Sequence, residues 1–181
     1  MSKILTIITL TKNNPKQLEK TLLSLKKYKK LIGISKNLII DGSNFLNKKE
    51  NQKIYKKFLN TFELTHLKDP SSGIYCAMNL GLINTHTRYV LFMNSGDIFS
   101  NEFNENLLIK YLNLYKSSNK INLIYCRAKI KSIINKNIFF FNPAKFTGNR
   151  KKFLLPYIVP PSHQACFFKT EWHKKNPYVL N

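Results

Sequence analysis

Polar residues that could do chemistry follow three short apolar segments of this chain. Thr9 and Thr11 close the first segment, Asp41 and Ser43 follow the second, and Asp97 follows the third. Carboxylate and hydroxyl oxygens suit a hard divalent cation such as Mg²⁺ or Mn²⁺, and a carboxylate can also accept an N–H group of a ligand. An aspartate after a strand can equally be a turn former or a helix N-cap. Because the chain has only nine acidic residues, two at such positions together favour a binding site.

Several common catalytic and nucleotide-binding motifs do not occur in the sequence. The turn at residues 9–14 has no GxGxxG pattern, and neither GxxxxGK[ST], GxSxG nor HExxH is found elsewhere. The three cysteines, Cys76, Cys126 and Cys166, form no CxxC pair, which is typical of a reducing compartment. The polar residues after the apolar segments therefore remain the candidate site.

The elements that must position these residues alternate along the chain. Apolar runs predict strands at 4–10, 38–40, 62–67, 89–93 and 123–128, and helical periodicity predicts helices at 15–29, 47–59, 74–84 and 104–115. The alternation predicts an α/β fold with a mostly parallel sheet and helices on both faces. Ligands bind outside the carboxyl ends of the strands in such sheets, which is where the polar residues lie.

The C-terminal part has a different pattern. Two apolar segments, 130–134 and 138–141, flank the turn-forming residues 135–137 and predict a β-hairpin. A last strand is predicted at 165–168. The chain of 181 residues is long enough for one domain with its own core and too short for two ordinary ones, so we predict a single domain over residues 1–181.

The charge is strongly unbalanced. Thirty basic residues face nine acidic ones, for a formal net charge of +21, and all the basic residues except Arg88, Arg127 and Arg150 are lysines. Such a charge attracts nucleic acid, an anionic membrane or phosphorylated ligands, whereas a general lysine-rich surface is the simpler explanation. The shortage of arginine disfavours a protein that recognises nucleic acid.

Because the sequence has no signal peptide or membrane-spanning run, we expect a cytoplasmic protein, with peripheral contact to the inner membrane as an option.

Five segments, in the same order, resemble motifs of one enzyme family. They are 6–14, 38–43, 69–81, 90–97 and 162–168. The most specific is DPSSGIYCAMNLG at 69–81, which resembles EPDKGIYDAMNKG in the branch that makes bacterial surface polysaccharides. Over nearly its whole length the sequence is similar to a family 2-type glycosyltransferase with the GT-A fold. The resemblance implies a three-layer α/β/α sandwich, with a nucleotide-binding half at 1–100 and an incomplete acceptor-side half at 101–181.

The resemblance also implies a reaction and the residues that serve it. A sugar would pass from a nucleotide-sugar donor, most simply a UDP-sugar, to a glycan or lipid-linked acceptor, with Mn²⁺ or Mg²⁺ as the cofactor. Asp97 would bind the metal and Asp41 the uracil, while His163 and Gln164 would lie on the acceptor side. The residues expected to bind the nucleotide sugar are Thr9, Thr11, Asp41, Ser43, Gly73, Asn79 and Asp97.

This chain departs from the family pattern at several acidic positions. Ser71, Cys76 and Ser95 stand where the family has aspartates. The family's catalytic acid lies beyond the 162–168 segment, so we expect a C-terminally truncated chain in which Glu171 is the remaining candidate; the alternative is that Glu171 is a surface acid at a helix N-terminus. Two other functions stay open: a degenerate transferase that binds nucleotide without turnover, and a basic nucleic-acid-binding protein.

Overall fold

The computed structural model describes residues 2–69, 73–114, 121–131, 138–141 and 162–179. Its strands are β1 (Leu5–Thr11), β2 (Ser35–Asp41), β3 (Leu64–Lys68), β4 (Tyr89–Asn94), β5 (Leu123–Tyr125), β6 (Ala128–Lys131), β7 (Ile138–Phe141) and β8 (Cys166–Lys169). Its helices are α1 (Pro15–Lys26), α2 (Lys29–Ile34), α3 (Phe45–Phe58), α4 (Ile74–Ile83), α5 (Glu105–Leu114) and α6 (Thr170–Lys175). A short 3₁₀ helix, His163–Ala165, precedes β8.

Six strands form one sheet in the order β3-β2-β1-β4-β8-β5. The first four pair in parallel, and β8 runs antiparallel to both β4 and β5. Strands β6 and β7 form a separate antiparallel pair. The predicted α/β class and the C-terminal hairpin are therefore confirmed; the hairpin turn, residues 135–137, lies outside the described residues.

Helices cover both faces of the sheet. On one face Leu5 and Ile7 of β1 pack with buried side chains of α1, α2, α3 and α5. On the other face Ile8 and Leu10 pack with α4. Strand β1 is buried along its whole length, because it lies inside the sheet and alternate side chains enter the two cores. The molecule thus has the three layers that the resemblance implied.

Two helix boundaries differ from the sequence prediction by two or more residues. The helix predicted over 15–29 ends at Lys26, because Tyr28 leaves helical geometry and donates its hydroxyl to the Ser100 carbonyl at 2.9 Å. Helix α3 starts at Phe45 instead of 47, because the capping residue is Asn44, whose side chain accepts the Asn47 N–H at 3.1 Å, and not Asn47. The spacing of apolar residues predicts neither a distant tertiary contact nor the residue that caps a helix, so it did not predict these two helix ends.

The contact of α4 with β1 depends on Gly81. A Cβ atom at this position would lie 2.8 Å from Cγ2 of the fully buried Ile8. We expect Gly81→Ala to lower the free energy of unfolding by about 1–3 kcal/mol in urea denaturation, because the packed core has to shift. Gly33→Ala is the control: no atom lies within 4 Å of its Cβ position, so the helix-favouring alanine should leave stability unchanged or raise it. Equal effects of both substitutions would contradict this packing.

Candidate functional site

The carboxyl ends of the parallel strands meet at one edge of the sheet. Thr11, the last residue of β1, lies opposite Asp41, the last residue of β2, and Asp41 lies opposite Lys68 in β3. On the other side Leu10 lies opposite Asn94, the last residue of β4. The loops that follow β1, β2 and β4 therefore leave the sheet side by side, as the sequence predicted for the segments that contain Asp41 and Asp97. We call this side of the sheet the carboxyl edge.

Asp41 lies buried beneath this edge, with 2% of its surface exposed. Its Oδ1 accepts the Ser43 N–H at 2.8 Å, and its Oδ2 accepts from the Asn51 amide at 3.0 Å and the Tyr55 hydroxyl at 2.8 Å. The His66 Nε2 lies 3.6 Å from the same Oδ2. The sequence led us to expect a carboxylate open to the uracil base. The structure shows an internal acceptor instead, because α3 brings Asn51 and Tyr55 over it.

The partners of Asp41 keep it ionised. Burial alone raises the pKa of a carboxyl group, but the neighbouring His66 ring and the hydrogen bonds from Ser43, Tyr55 and Asn51 outweigh burial and hold the Asp41 pKa well below its usual range. Burial and the hydrogen bond to the Asp41 carboxylate raise the pKa of the Tyr55 hydroxyl in turn. The cluster is thus a buried carboxylate with neutral hydroxyl and amide donors.

Two hydrogen bonds join the loops after β1 and β2. The Asn13 N–H donates to the Ser43 hydroxyl at 2.8 Å, and the Asn44 N–H donates to the Asn13 side-chain oxygen at 2.7 Å. Asn13 has a φ of +53°, a left-handed conformation that asparagine tolerates better than most residues. Since Ser43 is also held by Asp41, the carboxylate and both loops form one connected unit.

The two threonines of β1 point to the α1 and α3 side of the sheet. Thr9 and Thr11 alternate with Ile8 and Leu10 and are both buried. Within the described residues the Thr11 hydroxyl has no hydrogen-bond partner. A buried hydroxyl without a partner costs stability.

Asp97 closes a tight turn after β4. Its Oδ2 accepts the Asn94 N–H at 2.7 Å, and Gly96 takes a φ of +105° and donates its N–H to the Thr21 hydroxyl of α1 at 2.8 Å. Burial raises the pKa of the half-buried Asp97 carboxyl, while the Asn94 N–H and the charge of nearby His163 act in the opposite direction. The turn is therefore fixed by α1 at the carboxyl edge.

The 3₁₀ helix brings the predicted acceptor-side residues to Asp97. Because β8 is antiparallel to β4, the residues before β8 lie at the carboxyl edge. Burial lowers the pKa of His163, and the Asp97 carboxylate partly offsets this. The Gln164 side-chain oxygen accepts a hydrogen bond from Ser162. His163, expected on the acceptor side, thus lies at the same edge as Asp97 and close enough for their charges to influence each other.

Helix α4 contributes two of the expected residues in different ways. Gly73 has a φ of +102° and precedes the helix at an exposed position. Residues 70–72, which include Ser71, lie outside the described residues. The Asn79 amide donates to the Tyr178 carbonyl at 2.9 Å and accepts the Tyr178 N–H at 3.0 Å. Asn79 was expected to reach the donor; in the structure its amide fixes the C-terminal segment against α4.

Glu171 lies at the wrong edge of the sheet to be the catalytic acid. Strand β8 ends with Lys169 opposite Tyr89, the first residue of β4, and the Thr170 N–H donates to the Arg88 carbonyl at 2.9 Å. Helix α6 therefore begins at the amino ends of the parallel strands, away from Asp97. Glu171 is exposed in the first turn of that helix. The alternative interpretation, a surface acid at a helix N-terminus, is the one that the structure supports.

Three side chains that hold the site together were not predicted from the sequence. Asn51 and Tyr55 are four residues apart, and both are buried on the inner face of α3. Polar residues at that spacing among the apolar positions were a usable signal for a partner on the sheet. Thr21 of α1, fully buried, gave no local signal, because its partner Gly96 is 75 residues away.

The donor set suits a metal that is held jointly with a ligand. Within the described residues no group of three or more His, Cys, Asp or Glu side chains could hold a metal ion alone. Mg²⁺ is commonly held by one or two carboxylates together with substrate phosphates, and imidazole also ligates first-row transition ions. Asp97, with His163 near it, fits such a partial set.

The described helices include none long and apolar enough to cross a membrane.

Comparison with solved structures identifies the architecture. S. aureus TarS 1-349 superposes on 96% of this chain with a TM-score of 0.67 at 19% identity, and the match covers 49% of the TarS chain. The mannosyltransferase PcManGT from Pyrobaculum calidifontis, in complex with GDP-Man and Mn²⁺, superposes on 100% of this chain with a TM-score of 0.68 at 11% identity, covering 49% of its own chain. The chain has the GT-A fold.

The same fold also serves a different reaction. A 4-diphosphocytidyl-2C-methyl-D-erythritol synthase from Anaerococcus prevotii matches 96% of this chain at a TM-score of 0.53 and 17% identity, covering 74% of its chain. No protein-family model matches the sequence, and no curated protein matches it significantly. The GT-A chain described here spans about half the length of TarS 1-349 and PcManGT. At these identities the likeness shows the fold, and the function has to be argued from the site.

Proposed function

We propose that this chain binds a nucleotide sugar, with a uridine diphosphate group, at the carboxyl edge and takes part in glycosyl transfer. The observation that carries the proposal is the meeting of Asp97 and His163 with the joined loops after β1 and β2 at that edge of a GT-A sheet. Solved GT-A structures of similar shape include complexes with UDP-GlcNAc and with GDP-Man and Mn²⁺. A donor that spans these loops would place its base near β1 and β2 and its diphosphate near Asp97.

Asp97 would hold a divalent cation together with the diphosphate. Its Oδ2 is bound to the Asn94 N–H, which orients the carboxylate. A bound Mn²⁺ or Mg²⁺ would neutralise the charge that develops on the departing diphosphate. Burial lowers the pKa of His163, which favours the neutral imidazole, and a neutral imidazole can contribute a lone pair or a hydrogen bond near the same place.

The nucleotide would be held by the β1 and β2 loops. Ser43 lies on the loop after β2, and the buried Thr9 and Thr11, whose hydroxyl has no partner within the described residues, would form the floor of the nucleotide site at the end of β1. Gly73, exposed and without a side chain, leaves room for close approach of the ligand. Asp41 acts in this proposal as a positioning residue, because it fixes the Ser43 N–H.

The acceptor would enter from the side of the 3₁₀ helix. His163 and Gln164 lie there, and they are the groups in residues 101–181 that we assign to the acceptor. Residues 1–100 supply the groups assigned to the donor. We propose a glycan or a lipid-linked glycan as the acceptor, in polysaccharide assembly at the cytoplasmic face of a membrane, which accords with the high positive charge.

Calorimetric titration tests the donor site directly. We expect UDP to bind the chain with an affinity that rises when Mn²⁺ is present, and adenosine diphosphate to bind more weakly under the same conditions. The pairing of nucleotide and metal is the signature, because Asp97 alone offers too few ligands for tight metal binding. Failure of UDP to bind at any Mn²⁺ concentration would refute the proposal.

Turnover is a separate measurement. The departures at Cys76 and Ser95, and the position of Glu171 at the opposite edge, favour a chain that binds donor with little or no transfer as the second candidate. Release of UDP from UDP-sugars, with water and with a glycan acceptor, separates the two candidates. Donor binding without release of UDP would assign the chain to nucleotide binding only.

A further inference from the structure

Two large apolar side chains are exposed to solvent at the carboxyl edge. Phe45 and Leu46, the first two residues of α3, are 70% and 73% exposed. They follow directly on the loop that Asp41 and Ser43 fix. Apolar side chains at the beginning of an amphipathic helix ordinarily enter the core, and here Tyr55 and Phe58 of the same helix do so. The fold therefore does not account for the outward position of Phe45 and Leu46.

Three lysines accompany these two side chains, two in the same helix and one on the adjoining loop. Lys48 and Lys49 are the fourth and fifth residues of α3, whose first turn has no acidic residue, and Lys12 is exposed on the adjoining β1 loop. The Lys49 ammonium lies 4.4 Å from the centre of the Phe45 ring. Positive charge near a helix N-terminus interacts unfavourably with the helix dipole, so Lys48 and Lys49 do not stabilise the helix through this interaction. We call Lys12, Phe45, Leu46, Lys48 and Lys49 the apolar-basic tip.

The neighbouring acid does not cancel this charge. The Glu50 carboxylate pairs with Lys53 at 2.8 Å, which leaves the tip positive. The tip is also held in place, because the Asn44 side chain caps α3 and the Asn44 N–H is bound to Asn13. An exposed apolar pair on a fixed loop, accompanied by lysines, has the chemistry of a surface that enters the interface of an anionic bilayer.

We propose that the apolar-basic tip docks the protein on an anionic lipid bilayer. Phe45 and Leu46 would enter the boundary between headgroups and acyl chains, while Lys12, Lys48 and Lys49 would contact anionic headgroups. The carboxyl edge, with Asp97, would then face the membrane. The proposal stands on exposure and charge and does not require that the chain bind a nucleotide; together with the proposed function it would bring the donor site to a lipid-linked acceptor.

Vesicle co-sedimentation tests the apolar part of the tip. The probes are vesicles of phosphatidylcholine with phosphatidylglycerol and vesicles of phosphatidylcholine alone. We expect the protein to bind the anionic vesicles preferentially and a Phe45→Ser, Leu46→Ser variant to bind them about tenfold more weakly. The matched control is Leu59→Ser, Ile83→Ser, which removes two other exposed apolar side chains, 52% and 68% exposed, and should bind as the unmodified protein does.

Charge reversal tests the basic part. We expect Lys48→Glu, Lys49→Glu to reduce binding to anionic vesicles at least about tenfold, because each cation near such a surface contributes roughly a fivefold factor. Lys26→Glu, Lys56→Glu is the control: it changes the net charge by the same amount with exposed lysines in the last turns of α1 and α3. Added salt should weaken binding of the unmodified protein.

The outcomes separate this proposal from its rivals and from the proposed function. No binding of the unmodified protein to anionic vesicles, or equal losses in tip and control variants, would overturn it. A dimer of the unmodified protein that becomes monomeric in the Phe45→Ser, Leu46→Ser variant would assign the tip to self-association instead. UDP titration of the same variants is expected to match the unmodified protein, so a failure of donor binding alone leaves the tip proposal standing.

Discussion

Replacing Asp97 with asparagine is expected to abolish the Mn²⁺-dependent part of UDP binding and to change the free energy of unfolding by less than about 1 kcal/mol. The amide oxygen of asparagine can still accept the Asn94 N–H that Asp97 Oδ2 accepts at 2.7 Å, so the turn keeps its hydrogen bond. The negative charge that would ligate the cation is lost. Calorimetry with and without Mn²⁺ measures the first effect, and urea unfolding measures the second.

Glu171→Gln is the matched control for Asp97→Asn. It removes one acidic charge in the same way, but at the opposite edge of the sheet. We expect it to bind UDP and Mn²⁺ as the unmodified protein does. Normal metal-dependent binding by the Asp97→Asn protein would contradict the proposed donor site. A loss of binding in Glu171→Gln would contradict the antiparallel direction of β8, which places Glu171 at the opposite edge of the sheet.

The metal-dependent binding should also depend on pH in a defined direction. Burial raises the Asp97 pKa above its usual value of 3.8. Because only the ionised carboxylate would ligate the cation, the Mn²⁺ effect should weaken, as the pH falls, at a pH higher than an ordinary exposed aspartate would require. Asp97→Asn should lack this component, and titrations at several pH values would show it.

The second large effect is expected at Asp41, on stability. Asp41→Asn should lower the free energy of unfolding by about 3 kcal/mol. A neutral amide accepts hydrogen bonds on one side only, so its nitrogen would face either the Ser43 N–H or the Asn51 and Tyr55 donors, and these buried donors would lose a charged acceptor. The control is Glu63→Gln, which breaks the half-exposed ion pair with Lys36 and should cost less than about 1 kcal/mol. Urea unfolding at pH 7 compares them.

The Asp41 effect has a predicted pH dependence. The pKa of Asp41 is lowered in the folded protein, so its ionisation stabilises the fold above the pKa of an unfolded aspartate, about 3.9, and this contribution is lost as the pH falls below that value. The stability difference between the unmodified protein and Asp41→Asn should therefore shrink below about pH 4. A difference that stays constant into that range would mean that the carboxylate is not what the variant removes.

Asp41→Asn should also affect the nucleotide. The carboxylate fixes the Ser43 N–H and through it the loops after β1 and β2. Under conditions where the variant is folded, we expect UDP to bind more weakly with or without Mn²⁺, because the base side of the site is loosened while Asp97 is unchanged. If only the Mn²⁺-dependent component of UDP binding were lost, the base and the metal would not be held at separate ends of the site, as the proposal requires.

The local pattern of the sequence was sufficient for the architecture. Buried β-branched and apolar runs such as Ile4–Leu10 predicted parallel strands, helical spacing predicted the layers between them, and the order of these elements predicted that Asp41 and Asp97 follow strands at one edge. These features depend on residues close together in the chain, where burial and periodicity act directly. The hairpin of β6 and β7 was readable for the same reason.

Only the tertiary structure decided which side chains remain open to a ligand. Asp41 is covered because α3 packs Asn51 and Tyr55 onto it, and Asn79 is engaged because Tyr178 returns to α4. Glu171 is excluded from the carboxyl edge by the antiparallel direction of β8, which an isolated apolar run does not reveal. Hydrogen bonds and strand directions of this kind join residues far apart in the chain, so their partners are set by packing of the whole fold and not by any local pattern.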